Sequence, residues 1–314
     1  MVHSSYKDTI TNHCAVTLSY IPKHIIKIAF DTVSFSIPIC LYSASKAYAF
    51  RSTFVSESLD QFKTKDHMKR LDKTVTGRVR TLIDEIRIQD EALRKEYTVT
   101  LRVPVPTKNN MAFTVAEYRD SFRKPSVKIE KCDSWIIRSM NSLLMRMGLP
   151  DILSKVEFSY NFIPTESNDC RELFRCIERI VHVKWGSHYR SYLDYSVLLF
   201  GGRNRRVKLY MRERGVNVRK RQYVRLEVTL NSQFLKRRGL RCLSDLANVS
   251  GLQPLDTLTF RDDGYAGMLR RRMRGRFFGK NFDKGSVIID EEPVAGGLGE
   301  CLSVDLQEDN VIEI

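Results

Sequence analysis

The sequence predicts an α+β protein with a central antiparallel sheet and flanking helices. Three observations predict it. Apolar and polar residues alternate with period two over 30–38, 154–163, 205–212 and 222–230, as half-buried strands require. One stretch, 133–147, instead repeats its apolar residues every 3.6 positions. And Gly201-Gly-Arg-Asn204 leaves room only for a tight hairpin between two strands.

Taken in order, residues 1–29 read as a poorly patterned leader. The ordered domain is then expected to open with Phe30-Asp-Thr-Val-Ser-Phe-Ser-Ile-Pro38, where Val33, Phe35 and Ile37 form the apolar side. Residues 56–97 are rich in charge, with Leu71, Val75, Val79, Leu82, Ile83 and Ile86 at spacings that predict an amphipathic helix over the later part. Thr98 to Val105 reads as a strand ended by Pro104 and Pro106, with a turn at 108–110. In 133–147, Trp135, Ile136, Met140, Leu143, Leu144 and Met147 share one helical face. Asp133 or Ser134 caps the start, and Gly148 with Pro150 ends it. Beyond lie an expected strand 154–163, helix 168–183, strands 194–200, 205–212 and 222–230, and a short helix 232–246. Gly201 and Gly202 are expected to supply the positive φ of the hairpin turn. The simplest division is a leader (1–29), a domain (30–250), a basic extension (251–284) and an acidic tail (285–314).

Composition narrows the function. Of 314 residues, 42% are hydrophobic and 28% charged, ordinary globular usage that excludes wholesale disorder and fibrous repeats. There are 52 Lys and Arg against 37 Asp and Glu, a net +15. All 52 cations lie at or before Lys284 while eight acids follow it, so the first 284 residues carry +23. Such a balance favours polyanions, nucleic acid first. The seven cysteines are scattered without CxxC or metal-ligand spacing and read as reduced core thiols. No stretch is apolar enough for a signal peptide or a membrane span, so no membrane partner and a cytoplasmic location are expected.

Strand alternation decides which side chains can meet. In 205–212 the apolar set is Val207, Leu209 and Met211, which leaves Arg206, Lys208, Tyr210 and Arg212 together. In 222–230, Tyr223, Arg225, Glu227 and Thr229 oppose Val224, Leu226, Val228 and Leu230; in 155–160, Lys155, Glu157 and Ser159 oppose Val156, Phe158 and Tyr160. If these strands share a sheet, a tyrosine, two carboxylates and several cations converge on one polar face. Such a face could cleave a phosphodiester: Glu157 and Glu227 would hold Mg²⁺ or Mn²⁺, Lys208, Arg212 or Arg225 would stabilise developing negative charge, and the Tyr210 oxygen would attack phosphorus. A phenol of pKa about 10 needs help to act at neutral pH. Polar-face residues of strands are, however, more often cross-strand pairs than catalysts. No His-hydrophobe-His pair and no Gly-Lys-Ser/Thr loop is present, so neither a histidine metal pair nor an ATP-driven motor is expected.

The cations crowd where a phosphate backbone could be followed. Arg203, Arg205, Arg206, Arg214 and the catalytic candidates lie on adjacent strands, Lys236, Arg237 and Arg238 on the helix behind them. A second cluster, Arg270, Arg271, Arg272, Arg274 and Arg276, is interleaved with Phe277 and Phe278, rings able to stack on unpaired bases.

The series Lys155-Val-Glu-Phe-Ser-Tyr160, Tyr195-Ser-Val-Leu-Leu-Phe-Gly201, Arg205-Arg-Val-Lys-Leu-Tyr-Met-Arg212, Val224-Arg-Leu-Glu-Val-Thr-Leu230 and Phe234-Leu-Lys-Arg-Arg-Gly-Leu240 resembles the rolling-circle replication initiators of filamentous phages and related plasmids. The opening strand at 30–38 and the helix at 134–147 are similar to that family's as well. The resemblance covers roughly 30–245 in short motifs. It implies an initiator nuclease fold that nicks and rejoins single-stranded or extruded origin DNA through a phosphotyrosine. Tyr210 would be the linking residue, with Arg212 in place of a lysine and Glu157 and Glu227 at the acidic positions; a host helicase or polymerase would be a further partner. Glu157 stands where Asp is usual, and Gly215 where an acid commonly follows. Tyr192, Tyr195 and Tyr223 remain alternative nucleophiles. The alternatives in function are a non-enzymatic nucleic-acid-binding protein and a nuclease that uses water in place of tyrosine.

Overall fold

The computed structural model describes residues 22–41, 43–63, 67–76, 79–90, 95–106, 124–166, 169–183, 190–192, 197–202, 205–214, 221–249, 258–260 and 287–289. The architecture is α+β, with one large antiparallel sheet whose strands run in the spatial order β2-β3-β4-β5-β1-β6-β11-β10-β9-β8. In chain order these are β1 (His24–Ser36), β2 (His67–Thr76), β3 (Val79–Asp90), β4 (Lys95–Pro106), β5 (Ser126–Glu130), β6 (Ile152–Pro164), β7 (Val181–Val183), β8 (Arg190–Tyr192), β9 (Val197–Gly202), β10 (Arg205–Arg214), β11 (Arg221–Asn231), β12 (Leu258–Phe260) and β13 (Val287–Ile289). Strand β13 joins the sheet beside β1, and β7 pairs with β12 apart from it. The helices are α1 (Ala44–Phe62), α2 (Ser134–Arg146), α3 (Cys170–Ile180) and α4 (Ser232–Arg237). No described helix is long and apolar enough to cross a membrane.

The core forms where the strands' apolar sides meet the helices. Val33 and Phe35 of β1, Val99 and Leu101 of β4, Val156 and Phe158 of β6, and Leu226 and Val228 of β11 are buried among Ile136, Met140 and Leu143 of α2 and Leu173 and Ile177 of α3. Burying a side chain of this kind is worth about 1.5–3 kcal/mol, so this layer supplies the drive to fold. Helix α2 forms as its periodicity predicts. The Asp133 side chain accepts the Ile136 N–H at 3.1 Å, and the chain leaves through Gly148 at φ +65°, a conformation that favours glycine.

Several expectations are corrected. The helix expected within 56–97 is the β2–β3 hairpin, and helix α1 lies before it. Strand β1 opens at His24 rather than Phe30. Helix 168–183 stops at Ile180, where Val181–Val183 turns into β7. The helix expected over 232–246 is broken: α4 ends before Gly239 at φ +74°, and a 3-10 turn follows at Leu243–Asn248. Gly201 and Gly202 are not the turn of their hairpin; they lie in β9, paired with Arg206 and Arg205, which leaves the connection to 203–204. The cysteines are not uniformly core thiols: Cys132, Cys170 and Cys176 are buried, but Cys40 is exposed. Within the expected acidic tail, 287–289 is a strand of the sheet.

Candidate active site on the polar sheet face

Strands β6, β11 and β10 are consecutive neighbours, in a register that puts Ser159 opposite Glu227, Glu227 opposite Lys208, Glu157 opposite Thr229 and Arg225 opposite Tyr210. The predicted alternation is observed. Val156, Phe158, Val207, Leu209, Val224, Leu226 and Val228 all point into the core, so the intervening polar residues share the opposite face. Glu157, Ser159, Arg225, Glu227 and Thr229 on that face are themselves buried, whereas Tyr210 and Lys208 are half-buried and Arg206 and Arg212 exposed. Buried charges persist only when paired and hydrogen-bonded, and here each one is.

Glu227 is the hub. Its Oε1 accepts the Tyr210 hydroxyl at 2.6 Å, and its Oε2 accepts the Lys208 ammonium at 3.0 Å. Arg225 Nε also lies 2.9 Å from Glu227 Oε1, but off the hydrogen-bonding direction, so that contact is coulombic. Glu157 accepts Lys155 at 3.1 Å and the Thr229 hydroxyl at 3.1 Å, and its Oε1 lies 3.8 Å from the same Lys208 nitrogen. Burial alone would raise the Glu157 carboxyl, but Lys155, Lys208 and Thr229 outweigh it and hold the group below its ordinary range. The Tyr210 phenol is shifted the other way. Burial, the hydrogen bond to Glu227 and that carboxylate's charge raise it, against the pull of Arg225 and Arg212. The phenol is therefore neutral at pH 7, already donating its proton toward a carboxylate.

One participant was missed in the sequence. Asp31 of β1 pairs with the Arg225 guanidinium through Nη2 and Oδ1. It occupies a bulge: Phe30 pairs with Phe158 and Thr32 with the next residue, Glu157, so Asp31 is the extra residue between them. The signal was present, because Phe30 and Val33 are both core residues at a spacing of three, which regular alternation forbids.

The structure brings Tyr210, Lys208, Arg225, Glu157 and Glu227 together, with Arg212 on the same strand opposite Tyr223. Arg206 is exposed opposite Thr229. Arg205 and Arg214 are placed only by their backbone, at the two ends of β10. Lys236, Arg237 and Arg238 sit on and just past α4, beyond the Asn231 end of β11 and outside the cluster. Arg203, Arg270, Arg271, Arg272, Arg274 and Arg276 lie outside the described residues, as does Tyr195.

The expected Mg²⁺ or Mn²⁺ fits this donor set poorly. A divalent ion needs carboxylate oxygens free to approach it, usually with a net negative site. Here Asp31, Glu157 and Glu227 are matched by Lys155, Lys208 and Arg225. Among the described residues, no group of three or more His, Cys, Asp or Glu side chains is placed to hold a metal. The ammonium of Lys208 stands between the two glutamates that would be the ligands.

Compared with known proteins, the chain matches no protein-family model, and no curated protein matches its sequence. The likeness to phage and plasmid initiators therefore rests on the short motifs at Lys155–Tyr160, Tyr195–Gly201, Arg205–Arg212, Val224–Leu230 and Phe234–Leu240.

Proposed function

We propose that this protein is a replication initiator that nicks and rejoins single-stranded DNA through Tyr210, acting on origin DNA in the cytoplasm of the cell that carries it. The observation that carries the reading is the Tyr210 hydroxyl donating to Glu227 at 2.6 Å, with the cations of Lys208 and Arg225 at the same carboxylate. In this reading the Tyr210 oxygen attacks the phosphorus while its proton passes to Glu227. The phosphorus–O3′ bond breaks, and the leaving oxygen takes a proton from water. The products are a 5′-phosphotyrosine link and a free 3′-hydroxyl, from which a host polymerase can extend. The raised phenol opposes attack in the resting site, so the route relies on Glu227 to take the proton as the new bond forms and on Arg225 and Arg212 to favour the anion. Lys208, Arg212 and Arg225 supply positive charge for the two non-bridging oxygens of the pentacovalent phosphate. The +23 of the first 284 residues would draw the DNA in, and the basic stretch at 270–276 would hold its backbone.

The burial of Glu157, Arg225 and Glu227, each paired with an opposite charge, favours a second reading, in which the cluster braces the sheet of a non-enzymatic nucleic-acid-binding protein. One experiment separates the two. Labelled single-stranded DNA of the cognate origin is incubated with wild type and with Tyr210→Phe and run on a denaturing gel. A protein-linked band lost in the variant is expected. Binding without cleavage would favour the second reading, and cleavage without an adduct would favour a water-using nuclease.

A further inference from the structure

We infer that the Lys208 ammonium is the resident cation of this site and takes the place of a divalent metal between Glu157 and Glu227. Its Nζ lies 3.0 Å from Glu227 Oε2 and 3.8 Å from Glu157 Oε1, between the two carboxylates expected to be the ligands. The geometry makes this a held position. Lys208 stands directly opposite Glu227 in the β10–β11 ladder, and Glu157 is reached across β11 from β6, so the backbone register delivers the ammonium between the two acids. The flanking charges leave little for a metal to gain: Lys155 covers the other oxygen of Glu157, and Arg225 stands against Glu227. A divalent ion entering here would add two positive charges to a neutral set and would have to expel Lys208 first. Both glutamates are more than nine-tenths buried, so expelling the lysine would leave buried carboxylate charge uncompensated, which costs more than breaking a surface pair.

The consequence for chemistry rests on the proposed nicking reaction. The roles a metal would fill, compensating the carboxylates and stabilising charge on the transferred phosphate, fall to a side chain with a fixed place in the ladder. A lysine so placed can release one of its carboxylate contacts to meet a phosphate oxygen while the other contact keeps it in position.

The test measures metal binding directly and so does not depend on whether DNA is cut. Mn²⁺ is titrated into wild type, and the paramagnetic resonance signal of the free ion is followed. Any Mn²⁺ taken up by the acids beyond Lys284 is common to all variants and is subtracted. Wild type is expected to show no additional site; a saturable site removed by Glu157→Gln or Glu227→Gln would overturn the inference. Lys208→Met is expected to gain one site, lost again in Lys208→Met/Glu157→Gln. A Lys208→Met protein that melts like wild type yet gains no site would also overturn it, and if this variant does not fold, the wild-type titration still decides. For catalysis, adduct formation should persist undiminished in excess EDTA. An adduct that forms only with added Mn²⁺ would overturn the inference while leaving tyrosine-mediated nicking intact, and no adduct under either condition would count against the nicking reaction alone.

Discussion

Among the described residues, Tyr97 and Tyr210 each donate their hydroxyl to a carboxylate, and the two pairs serve different ends. Tyr97 of β4 is fully buried on the core side, donating to Asp133, with Trp135 packed against its ring at 5.6 Å. Asp133 is the cap of α2 and also accepts Lys95 at 3.2 Å. Tyr210 donates to Glu227 from the polar side, half-buried, within reach of Lys208, Arg225 and Arg212. Both phenols are raised above their ordinary value by burial and by the carboxylate. A perturbed phenol is thus no mark of a site by itself. What distinguishes the second pair is access from outside and a surplus of cations facing the same carboxylate.

The largest expected difference between the pairs is in DNA cleavage. Tyr210→Phe should lower covalent adduct by at least about 1,000-fold with little change in melting, since it removes the nucleophile and leaves Glu227 its two cations. Comparable adduct from Tyr210→Phe would move the nucleophile to another tyrosine. Next in size is Arg225→Met, which leaves Glu227 with Lys208 alone and strands Asp31; it should cost about 3 kcal/mol in chemical denaturation. Tyr97→Phe should cost about 1 kcal/mol, the value of one buried hydrogen bond, and leave adduct formation as in wild type. A cleavage defect in Tyr97→Phe without loss of fold would erase the distinction drawn between the pairs. The smallest effect is in pH dependence. The folded Glu157 carboxyl is held below its ordinary value of 4.5, so it contributes stability above that pH that is lost as pH falls through the lower folded value. Glu157→Gln should therefore flatten the acid side of a melting-temperature profile below about pH 4.5; an unchanged slope would mean that Lys155 and Lys208 do not hold it as described.

Much of the site is legible because β10 and β11 alternate apolar and polar residues regularly. Val207, Leu209 and Met211 against Arg206, Lys208, Tyr210 and Arg212 needs no tertiary knowledge, and neighbouring strands in a hairpin bring the two polar sets together. The β2–β3 hairpin is hidden in the sequence for a physical reason. Strand β3 buries Leu82, Asp84, Ile86 and Ile88 in strict alternation, but the aspartate at the second core position breaks the apolar pattern and leaves a spacing that also suits a helix. Asp84 is tolerated there because Arg51 of α1 grips both its oxygens, at 2.5 and 2.6 Å, and His67 adds a third contact at 3.1 Å. Helix α1 was hidden by the same kind of exchange: its inner face includes Ser58, whose hydroxyl donates to the Phe54 carbonyl at 2.7 Å, and Ala47 where larger residues would have signalled burial. At Asp84 and Ser58 a satisfied polar group stands where pattern reading expects an apolar one.

The bulge at Asp31 makes the frame and the chemistry separately editable. Remove that one residue and Ile28, Phe30, Val33 and Phe35 fall into unbroken alternation, while Phe30 and Thr32 become neighbours facing Phe158 and Glu157, which are already neighbours. The carboxylate that pairs with Arg225 is thus an extra residue laid into the apolar alternation of β1. A single-codon deletion, ordinarily among the most damaging changes to a central strand, would here remove one of the two register shifts between β1 and β6 and subtract one charge from the site.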